Sequence, residues 1–244
     1  MSQEDELERR IRQIQIAGEL RSGGLAALRW EIQRLAAQHG VQIAGFHLVD
    51  PLPEGGLAEP AEHHWHTRPS FAPQVVETLR QAGFDLRGRS LLDVGCAQGR
   101  DVYEFDRMGV RAQGLEINSN DLRVARERYP GLTFTLGNMC DLPHPFGGGA
   151  FDAVVCVNTL SHVDAARALP GLRAVLTATG VGFMTVDCSI EDLATNTMVY
   201  SLDVDRALTS LAAVTIVSKT YGEREDASPF RHRHSYYEVV FKAC

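Results

Sequence analysis

The nine residues Leu92-Asp93-Val94-Gly95-Cys96-Ala97-Gln98-Gly99-Arg100 constrain this chain more than any other stretch. A short apolar strand ends at Val94, small residues stand at 95, 97 and 99, and a helix follows. Small side chains let backbone approach a ligand closely where a larger residue would collide. The first turn of the next helix adds N–H groups that its own ladder leaves unused. A tight strand-to-helix turn of any α/β protein has the same ingredients, so the rest of the pattern has to decide.

That pattern is a regular alternation. The spacing predicts a helix from Ser70, as its cap, to Gly83. Strands then follow at 91–94, 112–117, 132–136, 151–157 and 181–186, separated by helices at 100–108, 120–128 (capped by Ser119) and 162–176. Pro170 is expected to kink or break the last of these. Strands this apolar between helices imply a parallel sheet covered on both faces. The end differs: 214–221 and 235–242 are strand-like with no helix between them, and such a pair should run antiparallel.

Further blocks sit at the strand ends. Gly114-Leu115-Glu116-Ile117 closes the second strand, and an acidic residue there can accept from both hydroxyls of a ribose. Gly137-Asn138-Met139-Cys140-Asp141 follows the third strand, and Phe151-Asp152-Ala153-Val154-Val155 opens the fourth. With these residues the chain resembles the class I S-adenosylmethionine-dependent methyltransferases, particularly the small-molecule branch with its "LDVGCGTG" and "FDxV" signatures, over about residues 70–242. The resemblance implies a Rossmann-like α/β fold with a seven-stranded, mostly parallel sheet and an antiparallel last strand. It implies that Asp93, Gly95, Cys96, Ala97 and Gly99 surround the methionine part of S-adenosylmethionine. Glu116 would hold the ribose, Ile117 would pack on adenine, and Asn138 and Met139 would edge that ring. Asn158 joins the cofactor-binding set. Two departures stand out: Ala97 replaces the usual middle glycine, and Asn138 replaces the usual Asp while still supplying an acceptor. A nicotinamide dehydrogenase would need glycine where Ala97 and Arg100 stand.

The acceptor region is Asn158-Thr159-Leu160-Ser161-His162-Val163. It lacks the Asn/Asp-Pro-Pro-Tyr tetrad of methyltransferases that act on adenine or glutamine, and resembles the "LxHV" segment of small-molecule enzymes. His162 is thereby placed near the reaction centre, as a general base or as a structural histidine. Asp187, ending the fifth strand, is expected to face the same cleft and either hold a cationic or hydroxylated substrate or cap the next helix; residues 189–202 are expected to form part of the substrate wall, with Tyr200 a lining or a core residue. The expected function is methyl transfer to oxygen, nitrogen or carbon of a small molecule, of the kind used in secondary metabolism. A catalytically idle module that binds S-adenosylmethionine is the alternative. His63, His64, His66, His232 and His234 have spacings that suit a metal, but no Asp or Glu is tied to them in the sequence, so no metal is expected.

Residues 1–68 are expected to form a helical cap or lid, with 69–244 as the methyltransferase domain. Leu7, Ile11 and Ile14 share one helical face, and Leu25, Leu28, Ile32 and Leu35 another; these faces would either cover the cleft or pair two subunits. A Pro/Gly-rich stretch at 50–62 follows, and Arg68 is a candidate to grip the cofactor carboxylate. A net charge of −7 argues against a nucleic-acid partner. No long apolar run or basic leader points to a membrane, and five cysteines without CxxC pairing read as reduced thiols of a cytoplasmic protein.

Overall fold

The structure is a computed structural model that describes residues 69–194, 196–226 and 231–244. The expectations for the N-terminal cap, the linker at 50–62, His63, His64, His66 and Arg68 lie outside these residues. In chain order the elements are α1 (Ala72–Gln81), β1 (Ser90–Val94), α2 (Arg100–Arg107), β2 (Arg111–Glu116), α3 (Ser119–Arg128), β3 (Thr133–Leu136) and β4 (Phe151–Cys156). They continue with α4 (Ala165–Ala174), β5 (Leu176–Asp192), β6 (Thr197–Ser201), α5 (Val204–Leu208), β7 (Val214–Asp226) and β8 (His232–Ala243). Short 3-10 turns follow β3 at Met139–Asp141 and β4 at Leu160–His162.

One sheet runs in the order β3-β2-β1-β4-β5-β8-β7, with β6 paired to β5 beside that path. The first five strands in this order are parallel, and β8 lies antiparallel between β5 and β7. The seven-stranded order with an antiparallel last strand is thus as expected. The eighth strand, β6, is an addition, made because β5 runs on to Asp192 and folds back in a hairpin. A helix after Asp187 is therefore ruled out, and with it the capping role considered for that residue.

Period-two alternation divides the core between the two faces. In β4, Val154 and Cys156 join one apolar cluster while Ala153 and Val155 join the other. Helices α1, α2 and α3 cover the second face, and α4 and α5 the first. Burial on both faces explains why the strands read as continuous apolar runs. Three local expectations are corrected. Asn118, not Ser119, caps α3 by accepting from the amides of Asn120 and Asp121. Phe71 precedes α1, with Ser70 Oγ accepting from Ala72 N at 3.1 Å. Helix α4 continues through Pro170 without ending there.

The order of strands places a topological switch at β1, where the chain moves outward to β2 and β3 and then returns to β4. In open α/β sheets the crevice outside the carboxyl ends of the strands at such a point is where ligands bind. On the other side of β4, the sheet is held together by close facing of Gly182 in β5 and Phe241 in β8. A Cβ on Gly182 would stand 2.0 Å from the Phe241 ring. Gly182→Ala should therefore lose about 1–3 kcal/mol of stability, the usual cost of overpacking, in chemical denaturation.

Candidate active site at the switch point

The loop after β1 turns through three residues in the left-handed region: Gly95 and Gly99 at φ 79° and Ala97 at φ 47°. Gly95 is required twice over, because a Cβ there would stand 2.3 Å from Thr159 Oγ1. Thr159 comes from the segment after β4 and its Oγ1 reaches Val94 O, at the end of β1, at 3.4 Å, so the two loops of the switch point are packed into each other. Gly99 likewise leaves room for the Phe134 ring, which a Cβ would meet at 2.6 Å.

The carboxylate of Glu116 organises this loop. Its Oε2 accepts from Ala97 N at 2.8 Å, and its Oε1 accepts from Ile117 N and Asn118 N, both at 2.8 Å. The amides of Gly95 and Cys96 bond to Leu115 O at 2.8 and 3.1 Å. The loop amides are thus used within the fold, and what remains for a ligand is the loop's contour and the first turn of α2. Glu116 is buried, and burial pushes its pKa up to about 7, with the charge of Asp121 adding and the amides of Asn118, Ala97 and Ile117 opposing. Asp93 is also buried, and burial together with the charges of Asp101 and Glu116 lifts its pKa well above the usual carboxylate range. Ile117 is half-buried beside Glu116, and Leu136, in register with Glu116 on β3, is 41% exposed, which makes it a further apolar wall at this end of the sheet.

Asn138 and Met139 lie at the turn after β3. The Asn138 Oδ1 accepts from Cys140 N at 2.9 Å and so caps the turn. The Met139 side chain belongs to the core, so only its backbone is placed to edge a ring. Cys96 is buried, with its Sγ filling the space a Cβ on Gly114 would take. All five cysteines are free thiols.

The segment after β4 gathers the other candidates. Asn158, at φ 55°, donates its amide to Thr185 Oγ1 at 2.7 Å, and its Oδ1 accepts from Arg224 Nη1. His162, half-buried, ends the 3-10 turn. Asp187 is buried and bonded to His234 Nδ1 at 3.0 Å. Burial favours its neutral form, but His234, Arg224 and Ser161 outweigh that and hold it below the ordinary range. Tyr200 sits on β6 opposite Ile190.

Arg224, Asp226 and Ser161 were not singled out in the sequence, and the assertion that no acid is tied to His232 and His234 is corrected: Asp187 and Asp226 both are. The signal was the alternate spacing of 224 and 226 against 232 and 234, visible only once both strands are extended beyond 214–221 and 235–242.

A fold of this order, with an acidic residue closing β2 and a small-residue loop closing β1, defines a nucleoside-binding α/β domain. Residues 91–180 match the family model for a methyltransferase domain. Among relatives, a ubiquinone biosynthesis O-methyltransferase of Thiobacillus denitrificans is 29% identical over 126 residues, covering 47% of this chain and 53% of the relative. A demethylmenaquinone methyltransferase of Tropheryma whipplei is 35% identical over 101 residues, covering 36% and 41%. A solved S-adenosylmethionine-dependent methyltransferase from Methanosarcina mazei superposes with a TM-score of 0.54 at 17% identity, covering 68% of this chain and 96% of that one. The chain is thus similar over residues 91–180 to a methyltransferase domain, and its fold is that of the class I, S-adenosylmethionine-dependent methyltransferases. It spans about half the length of the curated relatives it matches. Among the described residues no helix is long and apolar enough to cross a membrane.

The residues fit the cofactor chemically: Glu116 is an acceptor for hydroxyls, Ile117 and Leu136 are apolar neighbours for a purine, and the turn at 138–139 offers amide and carbonyl groups. Ribose hydroxyls donate to an ionised carboxylate, so ligand binding should favour the charged form of Glu116. Affinity for S-adenosylhomocysteine should rise from pH 6 to pH 8 as the carboxyl loses its proton near 7. Without ligand, stability contributed by this group should fall over the interval from its unfolded value of 4.5 up to about 7, since the folded chain holds the proton longer. Calorimetry across that range checks the first expectation, with Glu116→Gln flattening the profile. Ala97→Gly offers a second check: relief of a left-handed alanine, worth about 1–2 kcal/mol, should outweigh glycine's added unfolded-state entropy of about 0.4–1 kcal/mol. A small gain in thermal stability is the expected result.

Proposed function

We propose that this chain transfers the methyl group of S-adenosylmethionine to a small molecule whose reacting atom carries a proton, as a hydroxyl does. The observation that supports this reading best is the Glu116 carboxylate, buried at the switch point and bonded to the loop after β1. The relatives named as O-methyltransferases and as a demethylmenaquinone methyltransferase support a small acceptor.

When bound, the cofactor supplies a methyl carbon activated by a sulfonium leaving group. The chain's part is to hold donor and acceptor in line and keep them there, an alignment worth roughly 7–11 kcal/mol in favourable cases. Asp93, Gly95, Ala97 and Gly99 shape the wall for the methionine portion, Glu116 receives the ribose, Ile117 and the turn at 138–139 border the adenine, and Arg68 takes the carboxylate. Asn158 stands between this wall and the β5–β8–β7 side of the sheet, held by Thr185 and Arg224. His162 serves as the base that removes the acceptor's proton, which general catalysis of this kind speeds by about 100- to 10,000-fold.

Release of S-adenosylhomocysteine, measured against pooled hydroxylated aromatic and quinol compounds, tests the activity. Turnover with none of them, in protein that binds the cofactor, would contradict methyl transfer to such acceptors. His162→Ala should lower kcat by at least 100-fold while leaving cofactor affinity within twofold, and the deficit should shrink at high pH as the acceptor ionises by itself. Unchanged kcat at neutral pH would return His162 to a structural role.

A further inference from the structure

Beside the cleft, on the antiparallel part of the sheet, lies a buried group of charged and imidazole side chains that methyl transfer as described does not use. His232 and His234 are two apart on β8 and so project to the same face. On β7, Asp226 stands opposite His232 and Arg224 opposite His234. Asp226, His232 and His234 are 4%, 1% and 2% exposed. One atom from each lies within 4.8 Å of the other two. The two ring centroids are 4.8 Å apart.

We propose that Asp226, His232 and His234 bind one divalent transition-metal ion of the zinc class, with Asp187 holding His234 from behind. His234 is set between two carboxylates: Nδ1 faces Asp187 Oδ1 at 3.0 Å, and Nε2 faces Asp226 Oδ2 at 3.4 Å. With its proton on Nδ1, directed at Asp187, the ring turns a lone pair on Nε2 toward an anionic oxygen. A cation between them would turn that pairing from repulsive to attractive. His232 Nε2 points at the same Asp226 oxygen from 3.9 Å. A proton on one ring serves only that ring, and two adjacent buried imidazoliums would repel; one dication serves both.

The geometry is close to what an ion requires. Ligand atoms at about 2.1 Å from a tetrahedral ion stand about 3.4 Å from one another. The His234–Asp226 distance of 3.4 Å matches this already, while His232 stands 3.9 Å from Asp226 and within 4.8 Å of His234, so it is the ligand that would move inward on binding. Two imidazoles and one carboxylate are a donor set suited to zinc and to its neighbours iron, cobalt and nickel. A carboxylate on the far nitrogen of a ligating histidine is the usual outer support of such a site, fixing which nitrogen binds. Arg224 fixes the third ligand from the other side, its Nε donating to the same Asp226 Oδ2 at 3.1 Å. Through its Nη1, Arg224 also reaches Asn158 Oδ1, so the ion would sit one side chain from the loop that closes the cofactor cleft.

The full chain, freed of metal with a chelator and dialysed, is titrated with zinc against a chromogenic competitor. One tightly held equivalent is expected, with a rise of several degrees in melting temperature. Asp226→Asn with His232→Gln and His234→Gln should lose that equivalent, and Asp187→Asn should weaken it by about 10- to 100-fold. His63→Ala with His64→Ala and His66→Ala should leave it intact. No stoichiometric binding, or binding that survives the triple substitution, would overturn the proposal. Where the substituted chain fails to fold, X-ray absorption at the zinc edge of the loaded wild-type protein decides. A nitrogen and oxygen shell with two imidazoles supports the site, and a sulfur shell from the cysteines overturns it.

Discussion

The hydrogen bonds between the Glu116 carboxylate and the amides of Ala97, Ile117 and Asn118 are the interaction on which the site depends. They tie the loop after β1 to the end of β2, and the loop's left-handed turns have no other charged partner among the bonds described. Hydrogen bonds to a charged acceptor contribute roughly 1.5–3 kcal/mol each, yet burying a carboxylate costs several kcal/mol. The balance leaves Glu116 with a pKa of about 7, so near neutrality the chain keeps an acceptor that ionises readily when donors arrive. One side chain therefore shapes the loop and waits for the ribose.

The second constraint is the way the sheet continues past β4. Because β8 inserts antiparallel between β5 and β7, the long strands β5, β7 and β8 reach well beyond the parallel part, and their far ends carry Asp187, Arg224, Asp226, His232 and His234. The Arg224–Asn158 and Asn158–Thr185 contacts join this extension to the loop after β4. Two polar systems, one on each side of β1 and β4, thus meet at the same crevice.

The parallel half of the fold was legible in the residues because its inner strands β1 and β4 are buried on both faces and its helices carry apolar stripes. The run at 92–100 and Glu116 stand where the spacing put them, and apart from β5 no element boundary in that half moved by more than two or three residues. The antiparallel half was harder. The strands read from the sequence stopped at Tyr221 and began at Ser235, so Arg224, Asp226, His232 and His234 fell outside them although the last three are almost wholly buried. Their burial comes from cross-strand pairing, which no local pattern encodes. For the same reason Asp187 read as a strand end, whereas β5 runs five residues further. Asn118 outcompeted Ser119 as the cap of α3 because its extended backbone lets the side chain reach two amides.

The most direct test is a crystal structure of the chain with S-adenosylhomocysteine. Both ribose hydroxyls within about 3 Å of the Glu116 carboxylate, with the bonds from Ala97, Ile117 and Asn118 still in place, is the expected result. A nucleoside bound elsewhere, or a loop released from Glu116 when the ligand binds, would contradict it.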